Sequence, residues 1–594
     1  MLCFKLNKCI ILNVVQTVRT IRSVHQFILS MDKAYFYYNT GENQFNVTFL
    51  YEHKEANVKR QFNFTRTASE TIEAFTGRIT TNIEKIVNRK FKRQNKHIEN
   101  ESVGLLVQVV SDGLPLNSSL TCQEVFFKQN YPTPLVLKVG EINYSIIINC
   151  PWIDVFALPK RIMSGYPVYP CKFEVKFVDK SKSSFSWLRS NKLTDSNKKL
   201  VSWEEVGNTD VYLTSQKDIG CKLKLICTPR NKSMEGPPAE TISDNLVENG
   251  PKFCPFENRH KFTKTNLEGN SFRVITYNIL ADLYADSDDA RNLLFPYCEK
   301  HALTIEYRKP LFIKEIMGYN ADIICLQEVD SKVYDVDFTT VFGRKGFEGH
   351  FAKKDTVSEG LVCLYSTSRF KKIESHIITY GEELKTKKNY CSHIWKIVHE
   401  NSNLSKRICE LGTCGQVVVL KSLDLAGEIL VVGNTHLYFH PNADHIRLLQ
   451  AGVFVAFLQQ VVESIAKKNP AKHVSLLICG DYNSVAECGI YKLMTTKEVP
   501  DDFVDWKSKE DEAVKGLSLR QPFSLASACG TPKYTNYTVG FADCLDYIFY
   551  QVDRLKVEQV IPMPTEQELK QHSAIPSIVF PSDHIALVAD LKWR

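Results

Sequence analysis

Along the second half of the chain, short apolar runs alternate with longer stretches in which apolar residues recur every three or four positions. The runs FRVITYNIL, ADIICLQEVD, LVCLYS, EILVVGNTHLYF and VSLLICGDYN have the length and β-branched content of buried strands. Between them, YRKPLFIKEIMGY and HIRLLQAGVFVAFLQQVVESIAKK read as helices. This alternation predicts a layered α/β architecture. From about residue 32 to 250 the texture is different: QFNVTFLYE, VGLLVQVV, NYSIIIN and KFEVKFV alternate with period two and are separated by Gly, Pro, Asn and Asp, which predicts strands joined by turns. One helix is expected there, over 69–93, closing in the basic cluster KIVNRKFKRQNKH. Farther on, FSWLRS and DVYLTSQKDIGCKLKLICTP suggest a small sandwich. The polar, irregular segment GPKFCPFENRHKFTKTNLEGN divides the two textures. The expected organisation is a β-rich unit with one long helix over 32–150, a small β-sandwich-like unit over 151–255, and an α/β unit over 256–594.

Composition narrows the class only a little. The 594 residues are 44% hydrophobic and 24% charged, as in ordinary globular proteins. A formal charge of +7 permits a polyanionic substrate without requiring one. The apolar runs are too short to cross a bilayer, so no membrane insertion is expected. Eighteen cysteines are scattered without a C-x-x-C pair, the nearest two being Cys409 and Cys414; free thiols are expected rather than a zinc site or a disulfide framework. Residues 1–31 contain no Asp or Glu, while Lys5, Lys8, Arg19 and Arg22 are spread among apolar residues. That composition predicts a mitochondrial presequence and a matrix location, the alternative being a cytosolic form begun at Met31.

The chemistry is concentrated where apolar runs stop. Five of them end in polar groups: Asn278 in ITYNIL, Glu328 in IICLQEVD, Asn434 and His436 in VVGNTHL, Asp481 and Asn483 in LICGDYN, and Asp583 and His584 in FPSDHIAL. One such ending is an ordinary turn. Five point to one shared site. Asp481 and Asn483 offer only oxygen and lie two residues apart on an extended segment, so both face one side, and Glu328 supplies a partner carboxylate. That donor set suits Mg²⁺, with Mn²⁺ as the alternative.

TYNIL, LQEVD, GNTHL, GDYNS, LDYIF and SDH, in that order over about 270–594, resemble the exonuclease-endonuclease-phosphatase superfamily. The resemblance implies a two-sheet α/β sandwich, here preceded by a β-rich N-terminal region. TYNILAD, Pro441 five residues after His436, and NYTVGFADCLDYIF resemble its deadenylase branch. This implies a metal-dependent phosphodiesterase that removes adenylates from RNA 3′ ends and cleaves 2′,5′-oligoadenylate, with no DNA substrate. Roles follow by the same resemblance. Glu328, Asp481 and Asn483 would hold the metal, with Asn278 and Asp583 completing its shell or forming a second site. Asp481 would accept the proton of the attacking water, His584 and His436 would donate to phosphate oxygens, and Asp546 would orient His584. Phe541, Pro441 and Asn483 would line an adenine pocket. Two other readings compete: another phosphoesterase of the superfamily, such as an abasic-site endonuclease or a phosphatase, and a non-catalytic RNA-binding protein.

Overall fold

The computed structural model describes residues 26–94, 104–129, 131–192, 201–354 and 357–594. Residues 1–25, the bulk of the expected presequence, and the end of the basic cluster beyond Gln94 lie outside the described residues. The chain divides into two compact units, Met1–Glu248 and Asn249–Arg594.

In the second unit two six-stranded sheets face each other. The first runs Phe347–Lys353, Glu359–Ser366, Ile323–Asp330, Ser271–Asn278, Leu587–Trp593 and Leu555–Val560 in spatial order. The second runs Phe370–Thr379, Cys414–Ser422, Glu428–His436, His473–Asp481, Asp546–Gln551 and Leu525–Ser527. Val274, Cys325, Cys363 and Ala589 from one sheet share a core with Val418, Leu430, Leu477 and Ile548 from the other. Helices cover the outer faces, so the central strands are buried on both sides and read as unbroken apolar runs.

Each sheet has one parallel pair at its centre: Ser271–Asn278 beside Ile323–Asp330, and Glu428–His436 beside His473–Asp481. A parallel pair needs a crossover. The two are made by the stretches holding helices Ile305–Gly318 and Asp444–Lys468. The consequence is that Asn278, His436 and Asp481 finish their strands at the same rim, and Glu328 reaches it just before the end of Ile323–Asp330. Asp546 begins an antiparallel strand as the partner of Asp481 and arrives there too. Close strand approach at this rim requires Gly480, because a Cβ there would lie 2.3 Å from the Thr435 carbonyl oxygen.

Several expectations are corrected. By length and composition Asp444–Lys468 could span a bilayer, against the expectation, and it packs Val453, Phe454 and Leu458 into the core over the second sheet. Within the polar segment, Arg259, expected in the α/β unit, is buried and donates to Pro562 O, Tyr319 Oη and Ala586 O. Asp583 and His584 end no strand; they lie in the loop before Leu587–Trp593. Asn434 is not at the rim. It bridges the sheets, donating to Leu326 O and Val362 O and accepting from Gln327 Nε2. Every cysteine among the described residues is a free thiol.

The first unit holds a seven-stranded sheet and a five-stranded one. The seven-stranded sheet buries Phe36, Phe45, Val47 and Phe49 against Phe75, Ile79 and Ile83 of the helix Ile72–Gln94. The five-stranded sheet packs around Trp187 with the pair Trp152–Ala157 and Lys172–Lys176. Its edge strand is Gln26–Phe27, paired with Ala239–Ile242, so the last residues of the span read as presequence belong to the fold.

Candidate active site

The rim gathers carboxylates around one amide. Asn278 Nδ2 donates to Glu328 Oε1 and to Asp481 Oδ2, each at 3.0 Å, while its Oδ1 accepts from Leu280 N at 3.0 Å. Asn278 thus ties the two carboxylates together. Glu328 Oε2 accepts from Ala281 N at 3.0 Å, and Asp481 Oδ1 from Asn483 N at 2.9 Å. Two of these side chains are aimed by strained backbone. Glu328 sits at φ +54°, where the ladder to Glu359–Ser366 shifts register, and Asn483 at φ +49°. A glutamate rarely adopts the left-handed region, and such a bulge re-aims a side chain at the end of a strand.

Asp481 Oδ2 lies 3.6 Å from the Nε2 atoms of both His436 and His584. The two imidazoles are in opposite states. His584 Nδ1 is 2.8 Å from Asp546 Oδ2; burial opposes its charge, but Asp546 and Asp481 outweigh that and hold it protonated well above the ordinary histidine range. Burial, with Lys354 and His584 nearby, keeps His436 neutral. Lys354 Nζ lies 3.3 Å from His436 Nδ1. An ammonium can only donate, so Nδ1 accepts and Nε2 carries the hydrogen that faces Asp481. Glu359, itself buried, pairs with Lys354 at 2.6 Å and keeps that ammonium charged despite its burial.

Negative charge is in excess here. Burial, then the nearby Glu359 and Asp583, raise Glu328 to about 7, against the pull of its bonds from Asn278 and Ala281. Burial and Asp546 raise Asp481 to about 6. Two carboxylates converging on one amide nitrogen, both reluctant to ionise without a counter-charge, are what a hard divalent cation needs. Ligand atoms of Asp481, Asp546 and His584 also lie within 4.8 Å of one another. A protonated imidazole bonded to Asp546 is not a ligand, so the chemistry favours Glu328 and Asp481 as the cation's holders.

The remaining residues singled out in the sequence lie on the loops that follow these strands or lead into them. Asn483 Nδ2 donates to Leu437 O, leaving its oxygen without a hydrogen bond among the described residues. Asp583 is half-buried and accepts from Asn536 Nδ2 at 3.2 Å. Phe541 lies near the tip of the hairpin Asn536–Tyr537 and Ala542–Asp543 and is 45% exposed, so it plugs no core. The base of that hairpin is fastened to the catalytic loop by Tyr537 N donating to Asp583 O. Pro441 is exposed in the loop after His436. Two buried arginines hold these loops by their carbonyls. Arg308 donates to Ile279 O, Leu280 O and Pro581 O, and Arg447 to Tyr438 O, His440 O and Pro441 O.

Lys354, Glu359, Ser582, Arg308 and Arg447 escaped the sequence reading. Ser582 donates to Asn278 O and accepts from His584 N, joining the SDH loop to the first strand end. Its place beside Asp583 and His584 is the one signal that could have found it.

An expected result follows from the imidazole pair. Asp546→Asn should lower kcat by about 10²-fold or more, because His584 loses the carboxylate that holds its proton. A histidine kept charged by its partner retains that charge below its folded pKa and loses it as pH rises through that value. In the variant that value falls, so the alkaline limb of the pH–rate profile should move toward neutrality; an unmoved limb would show that Asp546 does not govern His584.

Two family models match the chain: residues 275–584 fit the endonuclease/exonuclease/phosphatase family, and residues 150–248 fit the 2′,5′-phosphodiesterase 12-like N-terminal domain. The 2′,5′-phosphodiesterase 12 of Rattus norvegicus is 39% identical over 472 residues, covering 77% of this chain and 76% of its own length. The CCR4-Not complex 3′-5′-exoribonuclease subunit Ccr4 of Schizosaccharomyces pombe is 28% identical over 368 residues, covering 57% of this chain and 51% of its own. A crystal structure of ANGEL2, a 2′,3′-cyclic phosphatase, superposes with TM-score 0.45 at 21% identity, over 55% of this chain and 97% of that one.

Proposed function

The chain belongs to the endonuclease/exonuclease/phosphatase family and is a phosphodiesterase acting on RNA, and we propose that it uses Mg²⁺ to remove adenylates from RNA 3′ ends and to cleave 2′,5′-linked oligoadenylate. The observation that carries this reading is Asp481 set between a charged and a neutral imidazole and joined through Asn278 to Glu328.

Bound between Glu328 and Asp481, with Asn483 alongside, Mg²⁺ would offset charge on the scissile phosphate and on the leaving oxygen. The chain's own groups do the rest. Asp481 accepts the proton of the attacking water. His584, held charged by Asp546, stabilises negative charge on the phosphate, and neutral His436 donates from Nε2 without carrying charge. Asn278 keeps the two carboxylates in register.

Incubating the protein with oligoadenylates of both linkages and Mg²⁺, with an EDTA control, tests the proposal. Mononucleotide release from the 3′ end of the 3′,5′-linked substrate and cleavage of the 2′,5′-linked one are expected. Cleavage of abasic duplex DNA or of a phosphomonoester in its place would sink it.

The exposed ring of Phe541 supports adenine stacking, worth roughly 1–3 kcal/mol per base. Phe541→Ala should therefore lower kcat/KM on oligoadenylate by roughly 5-fold to 150-fold and leave a base-free phosphodiester almost unaffected. Equal loss on both substrates would remove Phe541 from the pocket.

The acid-free, cationic residues 1–31 support import into the mitochondrial matrix. Fused to a fluorescent reporter, they should carry it to mitochondria; a diffuse signal would favour a start at Met31.

A further inference from the structure

The first unit has a cavity of about 500 Å³ that the chemistry above does not use, within the range of roughly 300–1,000 Å³ usual for small-ligand sites. Its floor is the face of the seven-stranded sheet turned away from the helix Ile72–Gln94. Side chains alternate along a strand, so while Phe36, Phe45, Val47 and Phe49 enter the core, Tyr35, Tyr37, Asn46, Thr48, Gln61 and Asn63 line the cavity. Its wall is aromatic. The ring of Phe27 lies on Trp152 at 4.2 Å, Tyr35 is 5.8 Å from the same indole, and Lys176 Nζ stands 4.5 Å over the ring of Tyr37.

The floor is polar but uncharged. Asn46 Oδ1 accepts from Thr65 Oγ1, and Asn63 Oδ1 accepts from both Thr48 Oγ1 and Gln61 Nε2. With those oxygens engaged, the amide hydrogens of Asn46 and Asn63 and the carbonyl oxygen of Gln61 make no hydrogen bond among the described residues. The Tyr37 hydroxyl is buried with no partner. The one carboxylate in the lining, Asp154, is paired with Lys176 at 3.1 Å. A cation or a phosphate would find no unbalanced charge. What the surface can recognise is a flat, neutral ring whose edge carries both donors and acceptors. Rings of that kind stack on aromatics and are read by amides.

We propose that this cavity is a second binding site, which takes a nucleobase of single-stranded RNA. It rests on RNA being the substrate of the second unit. Its affinity comes from the Phe27, Trp152 and Tyr35 rings. Its selectivity comes from the amides.

The test uses the full chain carrying Glu328→Gln, so that RNA persists, and an oligoadenylate bearing 8-azidoadenosine. After irradiation, proteolysis and mass spectrometry should locate adducts on peptides of 26–65 or 147–177 as well as in 275–584. Trp152→Ala should reduce the first-unit adducts by about fivefold or more, by the loss of stacking. Asn46→Ala, at an exposed position whose one partner is the Thr65 hydroxyl and which leaves the aromatic wall intact, should do so without lowering the melting temperature. Placed instead in the chain with Glu328 intact, neither change should alter kcat on a dinucleotide. Adducts confined to 275–584, or first-unit adducts indifferent to both changes, overturn the second site and leave the phosphodiesterase reading standing. Adducts nowhere overturn both.

Discussion

Glu328→Gln should lower kcat/KM on oligoadenylate by at least about 10³-fold and abolish the thermal stabilisation that a divalent cation gives the wild type. The carboxylate has two duties that an amide cannot share. It accepts from both Asn278 and Ala281, and it brings negative charge to a buried rim where Asp481 alone is too little to hold a dication. Glutamine keeps the volume, and its single oxygen satisfies one of the two donors, so the fold should survive, as an unchanged far-ultraviolet spectrum would show. The wild type supplies the internal control. Because Glu328 is raised to about 7 and Asp481 to about 6, each retains a proton in the cation-free protein below those values and gives it up when the cation binds. Apparent cation affinity should therefore rise with pH until both are ionised and level off above about 7. Activity within tenfold of wild type, or a cation-induced melting shift that persists, would remove Glu328 from the metal site.

Asp481→Asn should be as severe for a different reason. An amide cannot take the proton of water, and loss of a positioned base costs roughly 10²–10⁴-fold; here the same change also removes charge from the cation. The defect should remain at saturating cation and substrate. What activity survives should climb with pH, because hydroxide then replaces the missing base. A variant that recovers at high cation concentration and shows no such climb would mean that Asp481 holds metal only, and that the proton goes elsewhere.

The second unit was legible because its central strands are buried on both faces. That burial turns Ser271–Asn278 and His473–Asp481 into unbroken apolar runs, and a polar group at the end of such a run stands out. What the pattern could not convey is which loops close over the rim. Lys354 follows an edge strand of mixed exposure and meets His436 across 82 residues. Arg308 and Arg447 lie on helices, where a basic residue ordinarily marks the solvent side, yet each is buried to hold loop carbonyls. Asp444–Lys468 hid its nature in the opposite way, being apolar almost all round because its neighbours cover it. In the first unit, the strand Gln26–Phe27 lies within the acid-free span 1–31 that composition marks as a leader, and two residues are too few to show a period of their own.

The left-handed backbone at Glu328 and Asn483 bears on how this enzyme would change under selection. Left-handed geometry costs a side-chain-bearing residue roughly 1–2 kcal/mol that glycine does not incur. A population screened for heat resistance alone would therefore gain by accepting glycine at Glu328, where it would also shed a buried carboxylate; asparagine tolerates this region, so Asn483 is under less of that pressure. The shortest path to a hardier protein runs through the loss of its chemistry, so any programme of stabilisation has to select for turnover at the same time.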